Sequence, residues 1–142
     1  MPLKVVIIGS GISSLSAGSF LAKEGHDVTI IEKNKQIGGR ARKFKEKGFT
    51  FDMGPSWYWM PDVFENFYKK FNHTSSDFYN LKRLDPSYRV YWKDNTHTNV
   101  PAKMDALEEW FESNEKGSAL KLREFLKDAQ IKYQVGMEDL VY

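Results

Sequence analysis

The sequence has no cysteine, a net charge of only +2 at pH 7, and no apolar run long enough to span a membrane. Without cysteine there is no disulfide framework and no thiolate chemistry. The near balance of acidic and basic residues argues against a nucleic-acid partner. The first residues lack the basic and apolar segments of a signal peptide. We therefore expect a cytoplasmic globular protein.

The first positive feature is a β-branched segment that runs into a glycine turn. Val5–Ile8 is typical of a strand buried on both faces of a parallel sheet. Gly9 permits the tight turn, and Gly11 leaves room for a pyrophosphate at the start of the next helix. The N–H groups expected to face those phosphates belong to Ile12, Ser13 and Ser14. Ser14 stands where Gly or Ala is usual, but serine is small enough for the helix to pack on the strand.

The second apolar segment, Val28–Ile31, ends at an acid. Glu32 lies 18 residues after Ser14, close to the spacing of about 20 for an acid that accepts a hydrogen bond from a ribose 2′-hydroxyl. An acid here repels a 2′-phosphate, which disfavours NADP, although Lys33 and Lys35 weaken that repulsion. Two interpretations stay open: an adenine-dinucleotide site, and a domain of the same geometry that binds no nucleotide.

Two further turns follow in order. Gly38–Ala41 (GGRA) comes soon after the acid, and Phe51–Pro55 (FDMGP) comes next. Adjacent glycines let a backbone lie against a ribose or a flat ring, and an arginine can fork onto phosphate oxygens. The glycine pair alone could be an ordinary loop. The ordered set of three turns favours FAD over NAD.

The same residues resemble a known family. Gly38–Ala41 is similar to the second glycine motif of the FAD family that includes amine oxidases, protoporphyrinogen oxidase and carotenoid desaturases. Phe49–Tyr58 (FTFDMGPSWY) looks like the bacterial phytoene desaturase branch, as do Leu84–Val90 (LDPSYRV) and Lys132–Met137 (KYQVGM). The resemblance covers nearly the whole chain, and its N-terminal motifs are the specific ones.

The resemblance implies FAD as the cofactor. It places Gly39, Arg40 and Ala41 near the pyrophosphate, and Gly54, Pro55 and Ser56 near the flavin ring. The predicted cofactor-binding set is Gly9, Gly11, Ile12, Ser13, Ser14, Glu32, Lys33, Gly39, Arg40, Ala41, Gly54, Pro55 and Ser56. The sequence identifies neither a catalytic residue nor a metal ligand.

We predict the α/β class, with a Rossmann-like FAD-binding domain whose N-terminal β-α-β part is incomplete. Only two strong parallel strands are found where a mononucleotide-binding half has about three. Added hairpins and helices lead into a substrate domain. The expected boundaries are 1–72 for the FAD-binding part and 73–142 for the start of the substrate or insertion domain, in an N-terminal fragment of a longer protein.

Within this fold the expected hairpins span 42–53 and 88–100. Helices are expected from Pro61, near Met104 and from Ser118, whose hydroxyl can cap its own helix. Aromatic residues at helical spacing after Pro61 predict core packing, with a wall for an apolar substrate as the alternative. Trp57–Met60 is either a packed turn or an apolar wall beside the flavin.

The leading functional hypothesis is FAD-dependent desaturation of a carotenoid precursor such as phytoene. The substrate is then an apolar polyene, and we expect peripheral contact with the inner membrane surface. The fragment alone is expected to be inactive and to self-associate. The alternatives are another FAD oxidase or isomerase of the amine-oxidase type, and a flavin-free lipid-binding protein of the same fold, similar to GDP dissociation inhibitors.

Overall fold

The computed structural model describes residues 1–54 and 57–140, with only the backbone of Leu140. The chain divides into two compact units, Met1–Thr74 and Ser75–Tyr142. The first unit contains β1 (Lys4–Ile8), α1 (Ile12–Lys23), β2 (Asp27–Ile31), β3 (Lys43–Glu46), β4 (Phe49–Asp52) and α2 (Pro61–Lys69). The second contains β5 (Tyr88–Tyr91), β6 (His97–Val100), α3 (Met104–Asn114) and α4 (Ser118–Val135). The α/β class is as predicted.

The β1-α1-β2 segment forms the parallel pair that the sequence predicts. The register runs from Lys4 opposite Asp27 to Ile8 opposite Ile31. α1 ends in a Schellman motif, in which the Gly25 N–H donates to Ala22 O at 3.0 Å and the His26 N–H donates to Leu21 O at 3.1 Å. This closure returns the chain into β2 with both strands pointing the same way. Among the described residues, this sheet has two strands.

Among the described residues, only one face of the β1–β2 pair is covered, so the prediction that Val5–Ile8 is buried on both faces is wrong for this structure. α1 packs on the face that carries Ile7 and Ile30, and there a Cβ on Gly18 would lie 3.1 Å from Ile30 Cδ1 and 3.4 Å from Ile7 Cδ1. The opposite face carries three apolar side chains that stay exposed, those of Val6, Ile8 and Ile31. We call this second surface the bare face. Its exposure follows from there being one helix for two sheet faces.

The remaining elements of the first unit agree with the predicted hairpin and helix. β3 and β4 pair antiparallel from Lys43 opposite Asp52 to Glu46 opposite Phe49. α2 begins at Pro61, as its fixed φ favours. Phe67 and Phe71 of α2 contact Phe20 of α1, with ring centroids 5.8 and 5.2 Å apart. These contacts support the core-packing interpretation of the aromatic stripe.

In the second unit, β5 and β6 form the predicted hairpin, and α3 and α4 follow. The predicted cap by Ser118 is wrong. Gly117 is the N-cap residue of α4, and the Ser118 hydroxyl is buried without a hydrogen-bond partner. The carboxylate of Glu112 on α3 instead accepts the N–H groups of Gly117 at 2.8 Å and Ala119 at 3.1 Å. A charged acceptor from the neighbouring helix therefore takes the place of the local hydroxyl.

Candidate functional site

The site begins where β1 ends. Gly9 has a φ of +93°, which favours glycine, and its N–H donates to Ile31 O at 2.7 Å. The chain thus turns sharply while still tied to β2. Gly11 then caps α1 without a side-chain hydrogen bond, and the first N–H groups of a helix have no acceptor within the helix. The turn brings these donors to the carboxyl end of the strand pair.

Gly11 has space in front of it. Its φ of −69° is open to any residue, and a Cβ at this position would meet no heavy atom within 4 Å. Neither the backbone φ of Gly11 nor the space around its Cβ position therefore requires glycine here. The open space is what a phosphate needs in order to approach the backbone.

Glu32, at the end of β2, accepts four hydrogen bonds from the chain itself. The N–H and hydroxyl of Ser10 donate to Oε2 at 2.9 and 2.7 Å. The backbone N–H and side-chain amide of Asn34 donate to Oε1 at 2.9 and 2.6 Å. These bonds, with the Ser10 hydroxyl as the largest cause, lower the pKa of Glu32 from 4.5 to about 2. Glu32 is therefore an anion throughout the physiological range of pH.

The second glycine turn lies directly against the first. The Gly38 N–H donates to Ser10 O at 2.8 Å, and Gly38 has a φ of +108°. Residues Gly39–Ala41 form a single 3₁₀ turn. A Cβ on Gly39 would lie 3.0 Å from the Gly11 Cα. Glycine at 39 is thus required by close approach of the two turns.

The third turn touches the second. A Cβ on Gly54 would lie 2.2 Å from the carbonyl oxygen of Arg40, a distance that no real side chain tolerates. The Met53 N–H also donates to Arg42 O at 2.9 Å. Gly54 is therefore needed to support the Arg40 turn. We call the three contacting turns, Gly9–Gly11, Gly38–Ala41 and Gly54, together with Glu32, the three-turn junction.

A cleft of about 280 Å³ opens at this junction. Its lining residues are Asn34, Gly39, Arg40, Arg42 and Met53. Arg40 and Arg42 beside the half-buried Gly39 form a surface suited to an anion with oxygen acceptors. Asn34 lines the cleft and also donates hydrogen bonds to the carboxylate of Glu32, so the cleft lies next to that acid. A charged ligand with hydroxyl donors fits both features.

The structure brings most of the predicted residues together. Glu32 and the glycines at 9, 11, 39 and 54 lie in the junction, together with Arg40 and Ala41. Ile12, Ser13 and Ser14 form the first turn of α1. Lys33 is exposed just after the acid. Pro55 and Ser56 lie outside the described residues, so their predicted place near a flavin ring stays a prediction.

Sequence reasoning missed Ser10, Asn34 and Gly18. Ser10 is the middle residue of the first glycine turn, which the motif leaves unspecified, yet its hydroxyl reaches the acid. Gly18 lies one helical turn after Ser14 and provides the close contact of α1 with the strands. A glycine inside a helix is a usable signal for such an approach.

Within residues 1–54 and 57–140, no group of three or more His, Cys, Asp or Glu side chains is arranged to hold a metal ion. Nor is any helix in these ranges both long and apolar enough to cross a bilayer.

The family model for an NAD(P)-binding Rossmann-like domain matches residues 7–74. Carotenoid 3,4-desaturase of Haloarcula japonica is 44% identical over 138 residues, which are 97% of this chain and 28% of that protein. This chain is similar to a carotenoid desaturase along nearly its whole length. A 4,4′-diapophytoene desaturase of Staphylococcus aureus is 38% identical over 133 residues, 94% of this chain and 26% of its own length.

The chain spans about a quarter of the length of these curated relatives. The predicted resemblance to carotenoid desaturases is confirmed, as is the Rossmann-like class. Among solved structures, a Pyrococcus furiosus protein is 21% identical with a TM-score of 0.47, over 96% of this chain and 38% of that one.

Proposed function

We propose that the three-turn junction binds FAD, and that the full-length protein is an FAD-dependent oxidoreductase that desaturates a carotenoid precursor such as phytoene. The observation that carries the cofactor proposal is the fixed Glu32 carboxylate beside the open space at Gly11. The names of the relatives support the reaction class and an apolar polyene substrate. Each half of the proposal can fail separately, because a flavin site and a desaturation product are measured independently.

The residues of the junction fit the adenosine diphosphate half of FAD. Glu32 would accept from the ribose, and Gly9, Gly11 and the first turn of α1 would face the pyrophosphate. Gly39, Arg40 and Ala41 would add backbone and guanidinium contacts. Because Glu32 is ionised, a 2′-phosphate would be repelled, which favours FAD over NADP. Lys33 is exposed beside the acid, where it would screen phosphate charge.

The flavin ring is proposed to lie beyond Gly54, towards Pro55 and Ser56. Hydride acceptance is the chemistry that a bound flavin supplies. The chain's part is to bind and orient the cofactor through the junction. The apolar side chains of Trp57 and Trp59 follow Ser56 and are exposed. They suit an apolar wall near the cofactor better than a packed turn.

We further propose that the first unit is the FAD-binding part, with its boundary near residue 72, and that residues from 73 onward begin a substrate domain. The full-length protein is proposed to be cytoplasmic and to contact the inner membrane surface peripherally. Exposed Trp57, Trp59 and Phe49 support this contact, since aromatic rings bind at lipid interfaces. Flotation with liposomes tests it, and full turnover in a lipid-free assay without flotation would contradict it.

The experiment that tests the function uses the purified full-length protein. We expect a visible flavin spectrum and, with phytoene-type substrates in lipid vesicles, products with additional conjugated double bonds. A flavin spectrum with turnover of amines or other apolar substrates instead would favour another oxidase or isomerase. Lipid binding without any flavin would favour a binding protein and would contradict the proposal.

A further inference from the structure

Ser10 connects the first glycine turn to both Glu32 and the second glycine turn. Its backbone N–H and hydroxyl both donate to Glu32 Oε2, and its carbonyl accepts the Gly38 N–H. At 1% exposure it is the only fully buried side chain among residues 1–54 and 57–139. The partner of this buried hydroxyl is the carboxylate of Glu32.

The two oxygens of the Glu32 carboxylate have different surroundings. Oε2 faces the buried Ser10, whereas Oε1 faces Asn34, which is exposed to solvent. A carboxylate offers about four acceptor positions, and the chain fills four. A ribose hydroxyl that donates to Glu32 must therefore replace one of these donors. The Asn34 amide is the donor that water can solvate after it leaves, so its release costs little.

We propose that Ser10 is a positioning residue that anchors the inner oxygen of Glu32, so that the outer oxygen is presented to the ribose of an adenine dinucleotide in place of the Asn34 amide. This inference rests on the proposed cofactor site. Ser10 does not itself contact the ligand in this proposal. It acts through Glu32, and its removal should therefore affect only interactions that Glu32 makes.

The test compares two ligands on the flavin-free full-length protein by calorimetry. ADP carries both ribose hydroxyls, and 2′,3′-dideoxy-ADP carries neither. The ratio of their dissociation constants measures what the hydroxyls contribute, and it cancels losses that affect both ligands alike. For the wild type we expect ADP to bind about ten-fold tighter, as for a hydrogen bond to a charged group.

Ser10→Ala removes the hydroxyl and keeps the backbone donor. We expect the ratio to fall to about two-fold, with binding of 2′,3′-dideoxy-ADP unchanged. Asn34→Ala is the matched control, since it removes a donor from the same carboxylate, and we expect its ratio to equal or exceed that of the wild type. In the double variant Ser10→Ala/Glu32→Ala the ratio should equal that of Glu32→Ala alone, because Ser10 acts only through Glu32.

The outcomes separate the inference from the function beneath it. If Glu32→Ala leaves the ratio unchanged, Glu32 does not bind the ribose and the proposed site itself fails. If Glu32→Ala abolishes the ratio but Ser10→Ala leaves it intact, or weakens both ligands equally, the site stands and the role of Ser10 is wrong. Should Ser10→Ala not fold, Ser10→Cys substitutes a weaker donor of similar size, and a wild-type ratio in that variant would overturn the inference.

Discussion

The three-turn junction and the bare face lie on the same strand pair and differ in almost every respect. In the junction, backbone and side-chain donors converge on Glu32. The glycine turns lie so close together that a Cβ added to Gly39 or Gly54 would be 3.0 Å or less from an atom of the neighbouring turn. On the bare face, Ile8 is 86% exposed and Val6 and Ile31 are more than half exposed. The hydrogen bonding of the junction is thus complete, whereas the apolar packing of the bare face is not.

This difference shows that the two features depend on different ranges of sequence. The junction is assembled from residues within the first 54 positions, through hydrogen bonds and close glycine contacts that need no outer layer. Covering a second sheet face needs another element, and the first unit places one helix on this pair. The site geometry is therefore present although the hydrophobic layer around it is not closed.

The largest effect on the junction is expected from filling the space between Gly54 and the Arg40 turn. We expect Gly54→Ala to destabilise the protein by about 1–3 kcal/mol or more, because its Cβ would overlap the Arg40 carbonyl oxygen. Gly136→Ala is the control, since a Cβ there meets nothing within 4 Å and its φ is −59°. Urea denaturation measures both. Equal stability of the two variants would show that the third turn does not support the second.

The bare face should cause the 142-residue chain to self-associate, because exposed apolar strands bind one another. We expect Ile8→Lys to weaken association about ten-fold or more, the effect of exposing one buried aliphatic side chain. Leu81→Lys changes an exposed leucine of the second unit and serves as control. Light scattering over a concentration series measures both. A monomeric wild-type chain at all concentrations would contradict the prediction.

The junction should show its own dependence on pH. The hydrogen bonds to Glu32 lower its pKa from 4.5 to about 2, so they stabilise the fold above pH 4.5 and this contribution is lost as the pH falls towards 2. Carboxyl-carbon NMR of Glu32 should give the low pKa, and Glu32→Gln should lose this part of the acid sensitivity. A titration midpoint near 4.5 would mean that the network does not form in solution.

The smallest effect is expected in the second unit, at a helix start without a ligand role. Ser118→Ala removes a buried hydroxyl that has no partner, and we expect it to be neutral or to stabilise by up to about 1 kcal/mol. Glu112→Ala removes the acceptor for two N–H groups of α4 and should destabilise. Thermal unfolding checks the opposite signs. If Ser118→Ala lowered the stability more than Glu112→Ala does, the Ser118 hydroxyl would be the cap of α4, as the sequence predicts.

Sequence patterns predict those parts of the structure that depend on neighbouring residues. The strand ends before Gly9 and Glu32, both hairpins and the helix start at Pro61 follow from β-branched runs, turn residues and a proline. The close contact of Gly54 with Arg40 could not be predicted, because it depends on how two separate turns meet. The cap by Glu112 was missed for the same reason, since it joins two helices through a side chain.

Burial was the least predictable property. Val5–Ile8 has the continuous apolar pattern of a strand covered on both sides, but pattern alone does not say which elements supply the cover. The bond from Ser10 to Glu32 was also not visible in the motif, which specifies only the glycines around Ser10. Conformational requirements are local in the sequence, whereas contacts between turns are not.

The central claim, that the three-turn junction is the FAD site, is tested most directly by titrating the full-length protein with FAD and comparing Gly11→Val with the wild type. The branched side chain would start in the open space in front of Gly11, where a Cβ meets no heavy atom within 4 Å. We predict stoichiometric FAD binding by the wild type, and a Gly11→Val variant that is folded but retains no flavin. Flavin retained at wild-type stoichiometry in that variant would contradict the account.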